Sequence, residues 1–442
     1  MRRVALLLVL TAPGCFNPDD PAADTDPSGS SSGSSGETSD PSDTTDTMPT
    51  SATGSTGTTN PTDPTTSPTT DPTDTTTGST DTTDTADDSS STTDFVPGCD
   101  NGVVEDDELC YEDAVEIDTL VSTQGVAIDD LDGDGHLDLV IGDYGDGTQG
   151  GLYAYLGNGD GTFSDAIGTD DTPLVRVATG AIADGIVDVI ALNATANAGI
   201  RRFRGDADGS FSSVTNYPGS TNWDVALADL DGDGRLDALG TTGSIITRFG
   251  TASESFGSET VYGGTNGFNC VKAADVNGDG APDVFGCSSD GIFPLLNDGS
   301  GDLIEGEFFG TAGSDILIGD FDGDGNPDLA GTGNSVVTVY FGNGDGAFSD
   351  GPELTVNASP IAGKAADLDD DGFDDIIVVN TSGTTSILMS NGDGTFQSQQ
   401  LFTMLDGYLY DMDMGDLNED GAEDIVVVSP NAGPIQVLLS HV

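Results

Sequence analysis

The sequence predicts an all-β fold: a closed seven-bladed β-propeller of four-stranded blades over residues 114–442, preceded by a disordered stalk. Three observations carry this reading. First, an acidic nine-residue phrase returns seven times, starting at residues 130, 180, 229, 275, 320, 367 and 416, in steps of 45–50 residues. A period of that size marks a propeller or solenoid, whose units cannot bury their apolar faces alone. Second, every copy has the same neighbours. A short apolar segment precedes it ("GVAI", "DVALA"), an apolar strand follows ("LDLVIG", "EDIVVVS"), and two more strands come after that. Four short strands with Gly-rich turns make a propeller blade. Third, the seventh copy ends at "IQVLLSHV" without a fourth strand, whereas "AVEIDTL" (114–120) stands unclaimed before the first phrase. That N-terminal strand completes the last blade and closes the ring without an open edge, a permutation for which a solenoid has no use.

The turns between third and fourth strands read "GNGDGTF" (157–163), "GNGDGAF" (342–348) and "SNGDGTF" (390–396). Gly and Asn supply the positive φ of a tight hairpin, so these are turns rather than metal sites. The tripeptide Arg204-Gly205-Asp206 aligns with the same turn in the second copy and is read as part of it.

Upstream the chain changes character. Residues 1–14 have a basic start ("MRR"), a short apolar run ("VALLLVL") and small residues before Cys15, the form of a secretory signal too short to span a membrane. The stretch resembles the lipobox of bacterial lipoproteins, in which the cysteine is acylated. Ala12 and Pro13 depart from that pattern, and a plain signal peptide is the alternative. Residues 15–95 are Ser, Thr, Asp, Pro and Gly with almost nothing apolar, so they cannot bury enough surface to fold. As a flexible coil such a stalk spans roughly 50 Å, and whether its Ser and Thr carry sugars is not written in the sequence. Residues 96–113 contain "CDNGVVEDDELC", a small clip whose spacing is similar to short Cys-rich repeats of secreted myxobacterial proteins. With Cys15 set aside, the other four cysteines form two local pairs, Cys99–Cys110 and Cys270–Cys287, as expected in an oxidising compartment.

The formal charge is -68, from 78 acidic and 10 basic residues. That excludes nucleic acid and anionic membrane surfaces as direct partners, since both are met by Lys and Arg. The acidic phrases themselves need a neutralising partner. Positions 1, 3, 5 and 9 carry Asp or Asn, and position 6 is Gly. Oxygen ligands two residues apart on a tight loop converge, position 7 adds a backbone carbonyl, and hard oxygens in a flexible cage suit calcium. The expected ligands are Asp130, Asp132, Asp134, His136 (backbone) and Asp138; Asp229, Asp231, Asp233, Arg235 (backbone) and Asp237; and Asp275, Asn277, Asp279, Ala281 (backbone) and Asp283. The later copies contribute Asp320, Asp322, Asp324, Asn326 (backbone) and Asp328; Asp367, Asp369, Asp371, Phe373 (backbone) and Asp375; and Asp416, Asn418, Asp420, Ala422 (backbone) and Asp424. In the copy at 180, Gly180 and Ile182 replace the first two acids, leaving Asp184 and Asp188, and no ion is expected. About six calcium ions follow, one for each competent loop.

These loops are not EF-hands, because position 12 is Ile141, Val378 or Val427 entering a strand instead of a bidentate Glu. The D-x-D-G-D-G-x-x-D pattern with its flanks over 114–442 resembles the FG-GAP (VCBS-type) repeats of integrin α-subunit propellers and many bacterial surface proteins. The resemblance implies an ion between the first and second strands of a blade, on one face of the disc, with ligands docking on the opposite face. Tyr144, Tyr217, Trp223, Tyr262, Phe268, Tyr408 and Tyr410 are placed on or near that opposite face, where exposed rings can stack on sugars or anchor a protein.

For an enzyme the sequence offers little: two histidines, His136 and His441, and no H-E-x-x-H, G-x-S-x-G or P-loop motif. The leading reading is an exported, lipid-anchored monomer at a bacterial cell surface that binds an extracellular protein or matrix polymer. A secreted form is the alternative for location. A lectin or polysaccharide-active (lyase-like) propeller, and a calcium-stiffened spacer, are the alternatives for function.

Overall fold

The computed structural model describes residues 110–441 apart from 112–114, 121, 148–149, 170–171, 184, 195–198, 220–222, 405–406 and 432. The signal segment, Cys15, the stalk, Cys99 and so the Cys99–Cys110 pairing, and Asp184 lie outside these residues.

Seven four-stranded antiparallel sheets follow one another; six take their strands in chain order, and the last takes its fourth strand from the N-terminal side. Their inner strands are Thr123–Asp129, Leu174–Ala183, Val225–Ala228, Cys270–Ala274, Ile316–Gly319, Pro360–Ala366 and Asp411–Gly415, here blades 1 to 7. Each inner strand touches the next, and blade 7 touches blade 1, so the inner strands form a closed ring. Closure is as the sequence predicts. Val115–Leu120 pairs with Gly433–Leu438 as the fourth strand of blade 7, with Val115 opposite Val437 and Leu120 opposite Gly433. A two-residue bridge, Cys110–Tyr111 with Ser440–His441, adds to the seam.

The core is seven layers, one between each pair of neighbouring blades. Blades 3 and 4 share Ala226, Leu239, Phe268, Val271, Phe293 and Leu295. The seam between blades 7 and 1 holds Val126, Leu139, Ile141, Val426, Ile435 and Val437. Because a strand sends alternate side chains to opposite faces, both faces of each second strand are covered. Hence "DLVIGD", "DVFGCS", "DIIVVN" and "DIVVV" are buried along their whole length. Burying each Val, Leu or Ile stabilises the ring by about 1.5–3 kcal/mol, and truncating Ile141 to Ala removes about 2–5 kcal/mol from the closing seam.

Cys270 and Cys287 stand directly opposite on the first two strands of blade 4 and are bonded, as the cysteine count predicts. Two aromatics assigned to a ligand face are core residues instead. Tyr217 is buried edge-on against Phe256, and its hydroxyl accepts the Phe256 N–H. Phe268 is fully buried among Phe293 and Phe308 between blades 3 and 4. Both sit beside loops rich in Asn and Gly, and that polar context masked their role as blade-to-blade filler. The Arg204-Gly205-Asp206 tripeptide lies at the end of Ile200–Gly205 and the start of its turn, where the Asp206 N–H meets the Ser210 carbonyl.

Candidate metal centres

The acidic phrase connects the first and second strands of its blade, and its carboxylates first serve to shape the loop. The position-1 carboxylate accepts the N–H of the position-6 glycine in all six complete phrases: Gly135 to Asp130, Gly234 to Asp229, Gly280 to Asp275, Gly325 to Asp320, Gly372 to Asp367 and Gly421 to Asp416, at 2.8–3.0 Å. The position-5 carboxylate accepts the position-7 N–H, as in Asp134 with His136 and Asp324 with Asn326. These side-chain turns wind the loop without a regular ladder. Position 6 has φ of 81–97° throughout, which only glycine adopts at no steric penalty. Position 4 is also left-handed, and there blades 6 and 7 place Asp370 (φ 55°) and Glu419 (φ 59°) where the others have glycine.

Position 9 has a second task that sequence reasoning missed. It is the buried first residue of the second strand, at most 1% exposed in Asp138, Asp237, Asp283, Asp328, Asp375 and Asp424. One oxygen accepts the N–H of position 2: Leu131, Leu230, Val276, Phe321, Leu368 or Leu417. Its other oxygen accepts an N–H at the end of the third strand: Gly157, Gly250, Asn297, Gly342, Ser390 or Ser440, at 2.7–2.8 Å. Position 9 therefore ties the loop to the sheet. The signal was available in its invariance over all seven copies, including the one without the other acids.

Carboxylates converge as the spacing implies. Asp130, Asp132 and Asp138 present oxygens within 4.8 Å of one another, as do Asp229, Asp231 and Asp237, then Asp320, Asp322 and Asp328, and finally Asp367, Asp369 and Asp371. The loops at 275 and 416 have an amide at position 3, Asn277 and Asn418, beside their acids. Depth grades across each loop: position 9 is buried, positions 1 and 3 are half-buried, and position 5 is exposed. Burial, with a smaller contribution from the other acids of the same loop, raises the position-9 carboxyls. Asp138, Asp237 and Asp283 are pushed up to about 6, and Asp328 and Asp375 to about 7, although backbone N–H groups pull them down. The residues fit a hard divalent cation. Three hard oxygens meet at a half-buried point, and Arg235 is the only Lys or Arg within any acidic phrase, where it pairs with Asp233. His136 contacts Glu419 of the neighbouring loop, which raises its imidazole.

Blade 2 is built differently. Its inner strand runs on to Ala183, and the second strand begins at Ile186, so a tight hairpin replaces the acidic loop. Asp188 keeps the position-9 tie, accepting the Gly205 N–H at 2.9 Å. Its other oxygen, which elsewhere meets the position-2 N–H, is instead held by the Arg202 guanidinium through Nε (3.0 Å) and Nη2 (2.5 Å). Arg202 was not anticipated from the sequence.

Of the ligand-face aromatics, Trp223 is exposed (37%), and Tyr144, Tyr262, Tyr408 and Tyr410 are half-buried, Tyr410 lying under the Arg176 guanidinium at 4.9 Å. Trp223 precedes the inner strand of blade 3, at the opposite end from the acidic loop at 229 and about 20 Å away by strand rise.

FG-GAP-like repeats match at residues 181–240, 275–330, 320–378 and 367–427. A search of the curated proteins finds no match. Among solved structures, the fold is similar to a lectin of Agrocybe aegerita described as recognising non-reducing terminal N-acetylglucosamine. Identity is 22%, with 73% of this chain and 86% of that chain covered and a TM-score of 0.51. It is also similar to BBS1N, solved in complex with ARL6DN, at 13% identity with 74% and 96% covered and a TM-score of 0.51. The ring of seven blades, the recurring acidic hairpin and the four repeat matches together show a seven-bladed β-propeller that carries FG-GAP-like repeats.

Proposed function

We propose that this propeller is a calcium-stiffened binding module, exported and held at a bacterial surface by a lipid on Cys15, which presents the face around Trp223 to an extracellular protein or matrix polymer. The observation that carries the calcium part is the convergence of three carboxylate oxygens in each of four loops, with the same backbone scaffold repeated in six. A bound divalent ion would offset the repulsion of those carboxylates and lock the hairpin between the first two strands. Support for the binding part is the exposed Trp223 at the far end of the inner strand, with half-buried Tyr144, Tyr262 and Tyr408 as further candidates. Extracellular modules hold calcium with Kd on the order of 10⁻⁴–10⁻³ M, so the metal is open to chelators.

A second reading, carbohydrate recognition, rests on the same ring, since an exposed indole stacks on sugars as readily as it anchors a protein. The solved lectin of similar fold is described as recognising a sugar, which makes glycans the first ligands to try. The purified chain is applied to glycan and polysaccharide arrays in calcium and in EDTA. Calcium-dependent binding that is lost in Trp223→Ala assigns a sugar ligand. A blank array from folded, calcium-loaded protein points to a protein partner, to be captured from cell envelopes. If Trp223→Ala leaves both kinds of binding intact, the assignment of this face fails.

A further inference from the structure

Seven charged side chains on the inner strands or immediately before them are buried: Arg176, Asp224, Lys272, Asp315, Lys364, Asp411 and Asp413, none more than 7% exposed. They alternate by blade. Cations stand on blades 2, 4 and 6, and carboxylates on blades 3, 5 and 7. Both lysines of the entire sequence are among them. Lys272 pairs with Asp315 at 2.9 Å, and Lys364 with Asp413 at 2.8 Å. Arg176 of blade 2 reaches past blade 1 to within 3.4 Å of Asp411 on blade 7, as a group inside the ring can. The carboxylates also bind the next inner strand directly: Asp224 accepts the Val271 N–H, Asp315 the Gly363 N–H, Asp411 the Val126 N–H and Asp413 the Ile128 N–H. The group is thus an axial charge ring that spans the blade interfaces.

Its charges do not balance: among the seven, three cations face four carboxylates, and half-buried Asp129 and Glu423 add their charges beside Asp413. Asp315, Asp411 and Asp413 each have an ammonium or guanidinium within 3.4 Å. Asp224, fully buried, instead places its oxygens on the backbone N–H groups of Val225 and Val271. A buried carboxylate that lacks a close cation is the natural place for a proton.

We propose that the axial ring is a proton-binding clamp: Asp224 takes up a proton in mildly acidic solution, and the balanced ring then holds the inner strands of blades 2 to 5 together more firmly. The groups facing Asp224 agree with this. Burial pushes its carboxyl up to about 7, against the pull of Lys272 and Arg176, while Asp315 raises it further. Asp411, which shares Arg176, is likewise pushed up to about 7, chiefly by burial. Burial raises Asp315 as well, so the ring titrates as a coupled unit, in which Asp224 is the carboxylate with no cation in contact. Because these carboxyls lie above their ordinary range in the folded chain, their stabilising contribution is complete in acid and lost as the pH rises through about 7. Acid that releases calcium from the loops would tighten the axis, so the ring stays closed when the metal leaves.

The test compares denaturation midpoints of the full chain, in saturating calcium, at about pH 5.5 and about pH 8.5. Asp224→Asn keeps the shape and removes the charge. It is expected to raise the midpoint at the higher pH, leave it unchanged at the lower one, and flatten the profile between them. Asp315→Asn, which removes the carboxylate in contact with Lys272, is expected to lower the midpoint at both. An Asp224→Asn midpoint below wild type at the higher pH, or an unaltered slope, overturns the proposal. So does a wild-type midpoint that depends on replacing sodium by a bulky organic cation, since a bound ion would then supply the missing charge. Should Asp224→Asn fail to fold, the Asp224 carboxyl is titrated directly in the full chain by its side-chain carbon-13 shift: protonation in mildly acidic solution supports the clamp, and a carboxylate that stays ionised down to pH ~5 overturns it.

Discussion

Blade 2 and the other six blades solve one electrostatic problem in two ways. All seven bury an aspartate at the head of the second strand and use it to fasten the third strand, through Gly205 in blade 2 and through the equivalent residue elsewhere. That carboxylate belongs to the architecture and cannot be dispensed with. In blade 2 its charge is met from within the chain by Arg202. In the other six no arginine takes that place, and two or three further carboxylates are added beside it. Adding negative charge to an unbalanced site makes physical sense only if a cation joins it, which is the strongest internal argument for the proposed calcium. The comparison also separates roles inside the phrase. Position 9 holds the fold in all seven blades and adds an oxygen to three of the four convergent groups, whereas the acids or amides at positions 1 and 3 occur only where a metal is proposed.

The largest expected effect comes from removing metal. Each site at millimolar calcium should contribute about 0.4–1.4 kcal/mol, so EDTA, which empties all of them, should lower the melting temperature of the chain by more than any single loop mutation. An unchanged melting temperature would sink the metal assignment. Next is Arg202→Met, which strands Asp188 and should destabilise by about 3–5 kcal/mol, equally with and without calcium. The double variant Arg202→Met/Asp188→Asn should recover part of that loss, and failure to do so would mean that Arg202 acts by packing rather than charge. Asp231→Ala with Asp233→Ala should remove one ion while the ring stays folded, at about 0.4–1.4 kcal/mol in millimolar calcium and with little or no loss in EDTA.

A pH series sharpens the same contrast. Without metal, the position-9 carboxyls titrate well above the ordinary aspartate range, at about 6 in Asp138, Asp237 and Asp283 and about 7 in Asp328 and Asp375. Their contribution to stability is therefore whole in acid and lost as pH rises through 6 to 7. Metal-free protein should unfold more easily at pH ~8 than at pH ~5, and calcium should rescue it most at the higher pH. A metal-free profile that rises with pH contradicts this account of the loops. The smallest effect is expected at blade 2, where Asp184→Ala should leave the amount of bound calcium unaltered.

Much of this was legible in the sequence, because a propeller repeats its instructions. The period, the turn glycines and the missing fourth strand of the last copy determine blade number and closure without reference to distant contacts. The acidic spacing likewise announces converging oxygens. Less legible was anything that depends on what lies across a blade interface. Tyr217 and Phe268 look like exposed loop aromatics until the neighbouring blade covers them. Arg202 is unremarkable in "IRRFRG" until pairing sets it beside Asp188. The axial ring left a trace, since lysine recurs three residues before the phrase in "KAAD" at 272 and 364, and aspartate five residues before it at 224, 315 and 411. A buried charge and a surface charge look the same in one sequence, so only the folded ring reveals that these residues meet.

The most direct test of the central claim is calcium stoichiometry, measured by equilibrium dialysis of the purified chain at millimolar free calcium. The account predicts six ions, one for each complete phrase, and five after Asp231→Ala with Asp233→Ala. A folded chain that binds no calcium, or a count that stays the same when that loop is emptied, would contradict it.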